Sequence, residues 1–152
     1  MEYKGRAQCL VIRDNKVLMV KHRDFDCNYE YYTVPGGGIE KGEAPEQAAI
    51  RELHEECNVV GRIIKKTSEW TDPYDASNIF YTYHIDIGNQ ATSLGYDPEF
   101  VENPILLGIN WLALDEISEI DRAFLWAAGL VSIPQFYEEL LSFKREISFP
   151  GF

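Results

Sequence analysis

The order of elements in this chain predicts an α/β fold. Apolar, β-prone runs fill the opening segment, and one stretch of helical periodicity runs from Pro45 to about Cys57. Further β-prone runs then precede two helical stretches near 121–130 and 134–144. Strands, a helix, strands again and terminal helices make a layered α/β arrangement. With 152 residues the chain has the length of one domain, 1–152, that buries its own core. Hydrophobic residues at 45% and charged residues at 26% are globular values, so disordered and fibrous classes are set aside.

Taken in order, Arg6 to Ile12 and Val17 to Arg23 flank Asp14-Asn15 and read as a β-hairpin. Asp24 to Glu30 is polar and reads as a loop. Tyr31 to Val34 is a short strand running into Pro35-Gly36-Gly37-Gly38, where glycines permit a tight turn. After the helix, Val59 to Trp70 and Ser77 to Ile87 are two strands joined by the turn-forming Thr71-Asp72-Pro73-Tyr74-Asp75. Gly88 to Leu107 is a long loop, and long loops inside compact domains commonly serve function. Gly108 to Leu112 is the last strand, Asp115 is expected to cap a helix start, and Ser132-Ile133-Pro134 separates the two terminal helices.

The first helix carries the chemistry. Pro45 suits its opening position, where a fixed φ and a missing N–H do no harm. At 100° per residue, Ala49, Ile50, Leu53 and Cys57 share an apolar arc, and Glu52, Glu55 and Glu56 share another on nearly the opposite side. Like charges three and four residues apart repel, and the helix dipole disfavours anions in the last turn. A hard cation that takes oxygen ligands and shares its shell with phosphates would relieve that repulsion. The bland alternative is a solvated acidic face. Arg51 stands one turn before Glu55 and within reach of Glu43, so it is expected to orient carboxylates rather than touch substrate.

Gly37, Glu43, Arg51, Glu52, Glu55 and Glu56 stand at the spacing G-x5-E-x7-R-E-U-x-E-E, and the run Gly37 to Val59 resembles the Nudix box of the MutT-like Nudix hydrolases. Asn58 replaces the usual glycine. The position demands a left-handed helix C-cap, which asparagine accepts best among non-glycine residues. The resemblance extends from about Arg6 to Glu119 and implies the Nudix fold, a mixed β-sheet sandwiched between α-helices.

It also implies an enzyme: Mg²⁺-dependent hydrolysis, with Mn²⁺ as a substitute, of a pyrophosphate bond in a nucleoside diphosphate linked to another moiety. Glu52, Glu55 and Glu56 would hold the metal, with a glycine carbonyl assigned to Gly36. The general base in the family comes from the box, here Glu52 first, or from a later loop, here Glu102 in preference to Glu99. Arg6 and Arg23 lie on the hairpin that borders the substrate in the family, and are the candidates for phosphate contact. Phe25, Tyr29, Tyr31, Tyr32, Trp70 and Tyr74 surround the same loops with aromatic faces suited to stacking, Tyr31 foremost. Nucleoside triphosphate sanitation and cleavage of ADP-ribose or another nucleotide sugar both stay open. Pro73 stands near a position where some ADP-ribose-specific members carry proline. A nucleotide-binding module without turnover is the remaining alternative, although every box carboxylate is retained.

The net charge of −11 argues against a polynucleotide or an anionic membrane as partner and leaves a small nucleotide, with a homodimer open. Cys9, Cys27 and Cys57 form no C-x-x-C pair, and no apolar run has transmembrane length, so reduced thiols in a cytoplasmic protein are expected. Asp24-x-Asp26-x-Asn28 opens like a calcium loop but fails at Tyr29, and His54-Glu55-Glu56 lacks the second histidine of a zinc site. His22 and His84 read as packed or surface histidines.

Overall fold

Val11 is where the first β-prone run changes sheets. In the computed structural model, which describes residues 3–24, 26–95 and 106–143, Gly5–Leu10 (β1) lies in one sheet and Ile12–Arg13 (β2) in another. The expected hairpin exists between β2 and Lys16–Asp24 (β3), around Asp14 and Asn15 at φ 51° and 59°. Two successive positive φ values match the twist of the flanking strands. Its first arm is only two residues long, because β1 leaves to pair elsewhere.

The first sheet contains β1, Gly36–Gly38 (β5), Arg62–Asp72 (β6) and Asp75–Asp86 (β7) in the order β5-β1-β7-β6. It is mixed: β1 runs parallel to β7, from Gly5 opposite Ile79 to Leu10 opposite His84, and antiparallel to β5. The second sheet is antiparallel and centres on β3, with β2 and Tyr29–Thr33 (β4) along one edge and Leu106–Leu112 (β8) along the other. Several boundaries shift from the sequence reading. The β6–β7 ladder closes at Asp72 opposite Asp75, leaving only Pro73-Tyr74 as loop.

The three glycines do not make a turn. None of Gly36, Gly37 and Gly38 has positive φ, and together they form β5 against β1. Glycine is required there by close approach instead. A Cβ on Gly36 would lie 2.4 Å from the Ala7 carbonyl oxygen, and one on Gly37 2.4 Å from the Glu52 carboxylate.

Helices cover both sides of the sheets. Ala7, Cys9 and Val11 with Leu18 and Val20 pack against Ala48, Ala49, Leu53 and Cys57 of the helix Pro45–Cys57 (α1). Their neighbours Leu10, Val17 and Met19 pack against the C-terminal helices Glu119–Ala127 (α2) and Pro134–Phe143 (α3) through Leu125 and Phe136, and against Leu130 of the 3-10 turn Leu130–Ser132 between them. Val17 to Val20 are therefore buried on both faces, which accounts for an unbroken apolar run in place of alternation.

The start of α2 corrects one expectation. Asp115 lies in the short 3-10 turn Leu114–Glu116, and the helix proper is capped by Ser118, whose hydroxyl accepts from the Asp121 N–H at 3.2 Å. At its other end the Thr67 and Ser68 hydroxyls of β6 donate to the Ala128 and Ala127 carbonyls, each at 2.7 Å, and past it the Lys65 ammonium donates at 2.8 Å to the Ser132 carbonyl that closes the 3-10 turn Leu130–Ser132. Carbonyls that a helix end leaves without partners are thus satisfied by a strand.

Candidate functional site

The helix α1 opens with Pro45 behind Ala44, whose N–H donates to the Gln47 side chain at 2.9 Å. It closes at Asn58, in the left-handed region at φ 56°, ψ 37°. The Asn58 N–H donates to the His54 carbonyl at 2.9 Å, and the Asn58 amide donates to Ser93 Oγ at 3.0 Å. The following loop returns the favour: Ser93 and Gly95 N–H groups donate to the Cys57 and Glu56 carbonyls at 3.1 and 2.8 Å. The expected left-handed cap is present, with a side-chain clamp that glycine would lack.

The apolar arc is buried as expected at Ala49, Leu53 and Cys57, while Ile50 is half-buried and Ala48 takes its place. The carboxylates separate sharply. Glu55 is exposed, Glu52 is largely covered, and Glu56 is 6% exposed, so the arc predicted to lie opposite the core turns one member inward. The cause is β5, which runs beside α1 and gives Glu56 a partner: the Gly36 N–H donates to its Oε1 at 2.8 Å. Burial outweighs that hydrogen bond and pushes the Glu56 carboxyl up to about 8; burial likewise raises Glu52, against the pull of Arg51.

Arg51 is the hub. Its Nε and Nη2 donate to the two Glu43 oxygens at 2.8 and 2.9 Å, Nη1 donates to Glu52 at 2.9 Å and Glu55 at 3.3 Å, and Nη2 also reaches the Gly38 carbonyl at 2.9 Å. A planar fork with five N–H groups is what this set of acceptors requires. Glu43 accepts in addition from the Glu40 N–H at 3.0 Å, and its carboxyl is held below the usual range, chiefly by Arg51. Glu43 thereby locks Arg51, and Arg51 orients Glu52 and Glu55.

Among the described residues no three acidic, cysteine or histidine side chains converge into a ready-made metal cage. The donors present nevertheless fit one kind of ion. Glu56 is a buried acidic side chain with a single backbone partner, Glu52 and Glu55 offer further hard oxygens, and Gly37 leaves room for the Glu52 carboxylate. A cation that retains several of its own waters needs no complete protein cage.

The remaining predicted residues fall into two groups. Arg6 is exposed and has no ion-pair partner among the described residues; its charge acts on Glu52 and Glu56 and also on His22. Arg23 shares Glu30 with Lys21, at 3.2 and 3.0 Å. Tyr31 is stacked against both His22 and Tyr29, with centroids 5.2 and 6.2 Å away and planes within 13° and 12°. Trp70 instead packs on Phe80, and Tyr74 is 97% exposed at the hairpin tip. Phe25, Glu99 and Glu102 lie outside the described residues.

His22, read from the sequence as a packed or surface histidine, is packed against Tyr31. Its ring nitrogen meets Thr33 Oγ1 at 2.7 Å, burial lowers its pKa first and the Arg6 charge second, and it stands opposite Tyr31 in the β3–β4 ladder. The signal was its two-residue spacing from Val20 and Leu18, which assigns all three to one strand face.

Comparison with known proteins bears on the family and the fold. The mouse diphosphoinositol polyphosphate phosphohydrolase 3-alpha is 31% identical over 88 residues, 56% of this chain and 52% of its own. The ADP-ribose pyrophosphatase of Bacillus subtilis (strain 168) is 31% identical over 107 residues, 67% of this chain and 57% of its own. This chain thus spans little more than half the length of these curated relatives. The crystal structure of a NUDIX hydrolase from Nitrosomonas europaea superposes with a TM-score of 0.63 at 20% identity, covering 100% of this chain and 77% of that one, which is a likeness of fold. The sequence model of the NUDIX domain matches residues 3–132, and the chain belongs to that family.

Proposed function

We propose that this chain hydrolyses a pyrophosphate bond in a nucleoside diphosphate linked to another moiety, using Mg²⁺. The observation that carries the reading is the gathering of Glu52, Glu55 and Glu56 on one flank of α1, with Arg51 fixing the first two and the Gly36 N–H fixing the third. The two curated relatives are named for different substrates, ADP-ribose and diphosphoinositol polyphosphate, that share a phosphoric anhydride. NUDIX hydrolases generally use a divalent metal.

Glu52, Glu55, Glu56 and the Gly36 carbonyl would hold the ion, which when bound activates water and neutralises charge developing on the phosphates. The chain's own residues do the rest. Arg51 holds two carboxylates in orientation, so that little reorganisation is needed during reaction. Burial of Glu56 and Glu52 favours their neutral forms until a cation arrives, which makes cation binding and proton release parts of one event. Arg6, exposed and beside the acidic flank, supplies a positive charge for a phosphate. The base that takes the proton from the attacking water is Glu102, which lies outside the described residues, or Glu52 within the box; Glu102→Gln separates the two. A lowered kcat with unchanged Mg²⁺ affinity assigns Glu102.

No helix among the described residues is long and apolar enough to cross a membrane, which suits a cytoplasmic enzyme acting on a small nucleotide. The deciding experiment is a panel of nucleoside triphosphates, nucleotide sugars and diphosphoinositol polyphosphates with Mg²⁺ or Mn²⁺, with the released product identified as pyrophosphate, orthophosphate or a sugar phosphate. Cleavage of none of them refutes the hydrolase.

A further inference from the structure

We propose that Asn58 is a positioning residue for the Glu55 and Glu56 carboxylates, acting through a strap of chain, residues 88–95, that it clamps across the last turn of α1; this rests on the hydrolase reading above. A helix end leaves its final carbonyls without partners inside the helix. The strap supplies them: the Gly95 N–H donates to the Glu56 carbonyl at 2.8 Å and the Ser93 N–H to the Cys57 carbonyl at 3.1 Å. From the helix side the Asn58 amide donates to Ser93 Oγ at 3.0 Å and lies 3.4 Å from the Ser93 and Leu94 carbonyl oxygens. Gly95 sits directly on the helix end. A Cβ there would overlap the Glu55 carbonyl oxygen, and its φ is not positive, so glycine serves close approach and not a turn.

The strap is itself held from its far side. Arg13 Nη2 donates to the Gly88 and Gln90 carbonyls, both at 2.8 Å, and the Arg13 guanidinium lies 4.9 Å from the Trp111 ring centroid. Trp111 Nε1 in turn donates to Thr92 Oγ1 at 3.3 Å. The Gln90 side chain pairs with both backbone groups of Val60, accepting from its N–H at 2.9 Å and donating to its carbonyl at 2.7 Å. The strands β2 and β8 and the chain just past α1 therefore fix the strap in space, and Asn58 fixes the helix end to the strap.

Glu55 has the greatest need of that support. Glu52 and Glu56 are held at their carboxylates by Arg51 at 2.9 Å and by the Gly36 N–H at 2.8 Å. The Glu55 side chain is 49% exposed, and among the described residues its carboxylate accepts only from Arg51, at 3.3 Å. Helix ends fray, and the last turn here carries two of the three acidic side chains. Fastening the carbonyls of residues 56 and 57 from outside keeps that turn helical and fixes the stems from which both carboxylates project. The same N–H groups point at the negative end of the helix dipole, where Glu55 and Glu56 add further negative charge. A glycine at position 58 would complete the left-handed cap and lose the clamp.

The test is calorimetric titration of the metal-free protein with Mn²⁺ alone, joined to amide hydrogen exchange without metal, for wild type, Asn58→Gly, Ser93→Ala and Ser93→Thr. Asn58→Gly keeps the cap and its N–H bond to His54 and deletes the side-chain donor, so the melting temperature should stay near wild type. Mn²⁺ binding should weaken by about tenfold, and the amides of Glu55, Glu56 and Cys57 should exchange faster by a similar factor. Ser93→Ala should weaken binding by less and add nothing to Asn58→Gly in the double variant, whereas Ser93→Thr keeps the hydroxyl and should restore it. In turnover, Asn58→Gly should lower kcat with little change in KM for the best substrate. Wild-type Mn²⁺ affinity and exchange in Asn58→Gly, or a loss of affinity that merely follows a fall in melting temperature, overturns the positioning role. Mn²⁺ binding that depends on Asn58 in a protein that cleaves no anhydride keeps the clamp and removes the hydrolase. Cleavage by Asn58→Gly indistinguishable from wild type keeps the hydrolase and removes the clamp.

Discussion

The flank of α1 and the outer end of the β3–β4 pair both place arginine beside glutamate, with opposite consequences. Arg51, Glu43 and Glu52 have side chains 23%, 14% and 16% exposed, and one guanidinium serves three carboxylates and a carbonyl. Arg23 and Glu30 are 37% and 42% exposed, and Lys21 competes for the same carboxylate. Exposed pairs contribute little stability and re-form easily. Covered, multiply bonded ones hold atoms in place, and removing a partner leaves charge stranded. The molecule thus keeps rigid electrostatics where bond-breaking is proposed and loose electrostatics at the outer end of the β3–β4 pair.

Breaking the rigid side has the largest expected effect. Glu55→Gln or Glu56→Gln should lower kcat by at least about a hundredfold with the fold intact, because each removes a charged oxygen from a site whose catalysis is electrostatic. Circular dichroism checks the fold, and turnover near wild type would show that the flank is not the reactive site.

The second effect is on stability against pH. With the Glu56 carboxyl pushed up to about 8 by burial, the folded chain keeps a proton there that the unfolded chain has already released near 4.5. Stability of the metal-free protein should therefore be fullest below about 4.5 and fall as pH rises through 8, by a few kcal/mol at most. Glu52, raised in the same direction, adds to the slope. Urea denaturation in chelator at pH 5 and pH 8 measures it. Glu56→Gln should flatten the profile, and an unchanged slope would place the titrating group elsewhere.

Arg51→Lys sharpens the contrast directly. A lysine keeps the charge and cannot span Glu43, Glu52 and the Gly38 carbonyl together, so kcat should fall roughly ten- to a hundredfold. The matching change Arg23→Lys on the loose side should leave the melting temperature within experimental error. Equal sensitivity of the two arginines in the melt would erase the distinction drawn between the regions.

The smallest effect concerns the cap. Asn58→Val should destabilise by about 1 to 2 kcal/mol, since a β-branched side chain clashes in the left-handed region. Asn58→Gly should lie within a few tenths of wild type, losing the Ser93 contact while easing the backbone. Chemical denaturation of both variants decides it.

The helix α1, its Pro45 start and its Asn58 end were readable because caps and periodicity are local properties of the chain. Arg51 was placed with Glu43 and Glu55 by the same local arithmetic, and the structure adds Glu52 and the Gly38 carbonyl. What escaped depends on partners far along the chain. The parallel pairing of β1 with β7 joins residues some seventy positions apart, so nothing near Val11 announces that the chain changes sheets there. Glu56 looked solvent-facing for the same reason: α1 alone does not reveal that β5 will cover that side. Ser118 displaced Asp115 as the cap of α2 because two polar starts stood three residues apart and packing of Leu114 and Ile117 chose between them.

The strand β3 supplies Leu18 and Val20 to the cluster under α1 and Val17 and Met19 to the cluster under α2 and α3. Neither cluster can come apart while the other keeps that strand in place. Amides of Val17 to Val20, paired on both edges of β3 or shielded beside such pairs, should exchange with deuterium only through opening of the whole molecule, and the two halves should melt in a single transition.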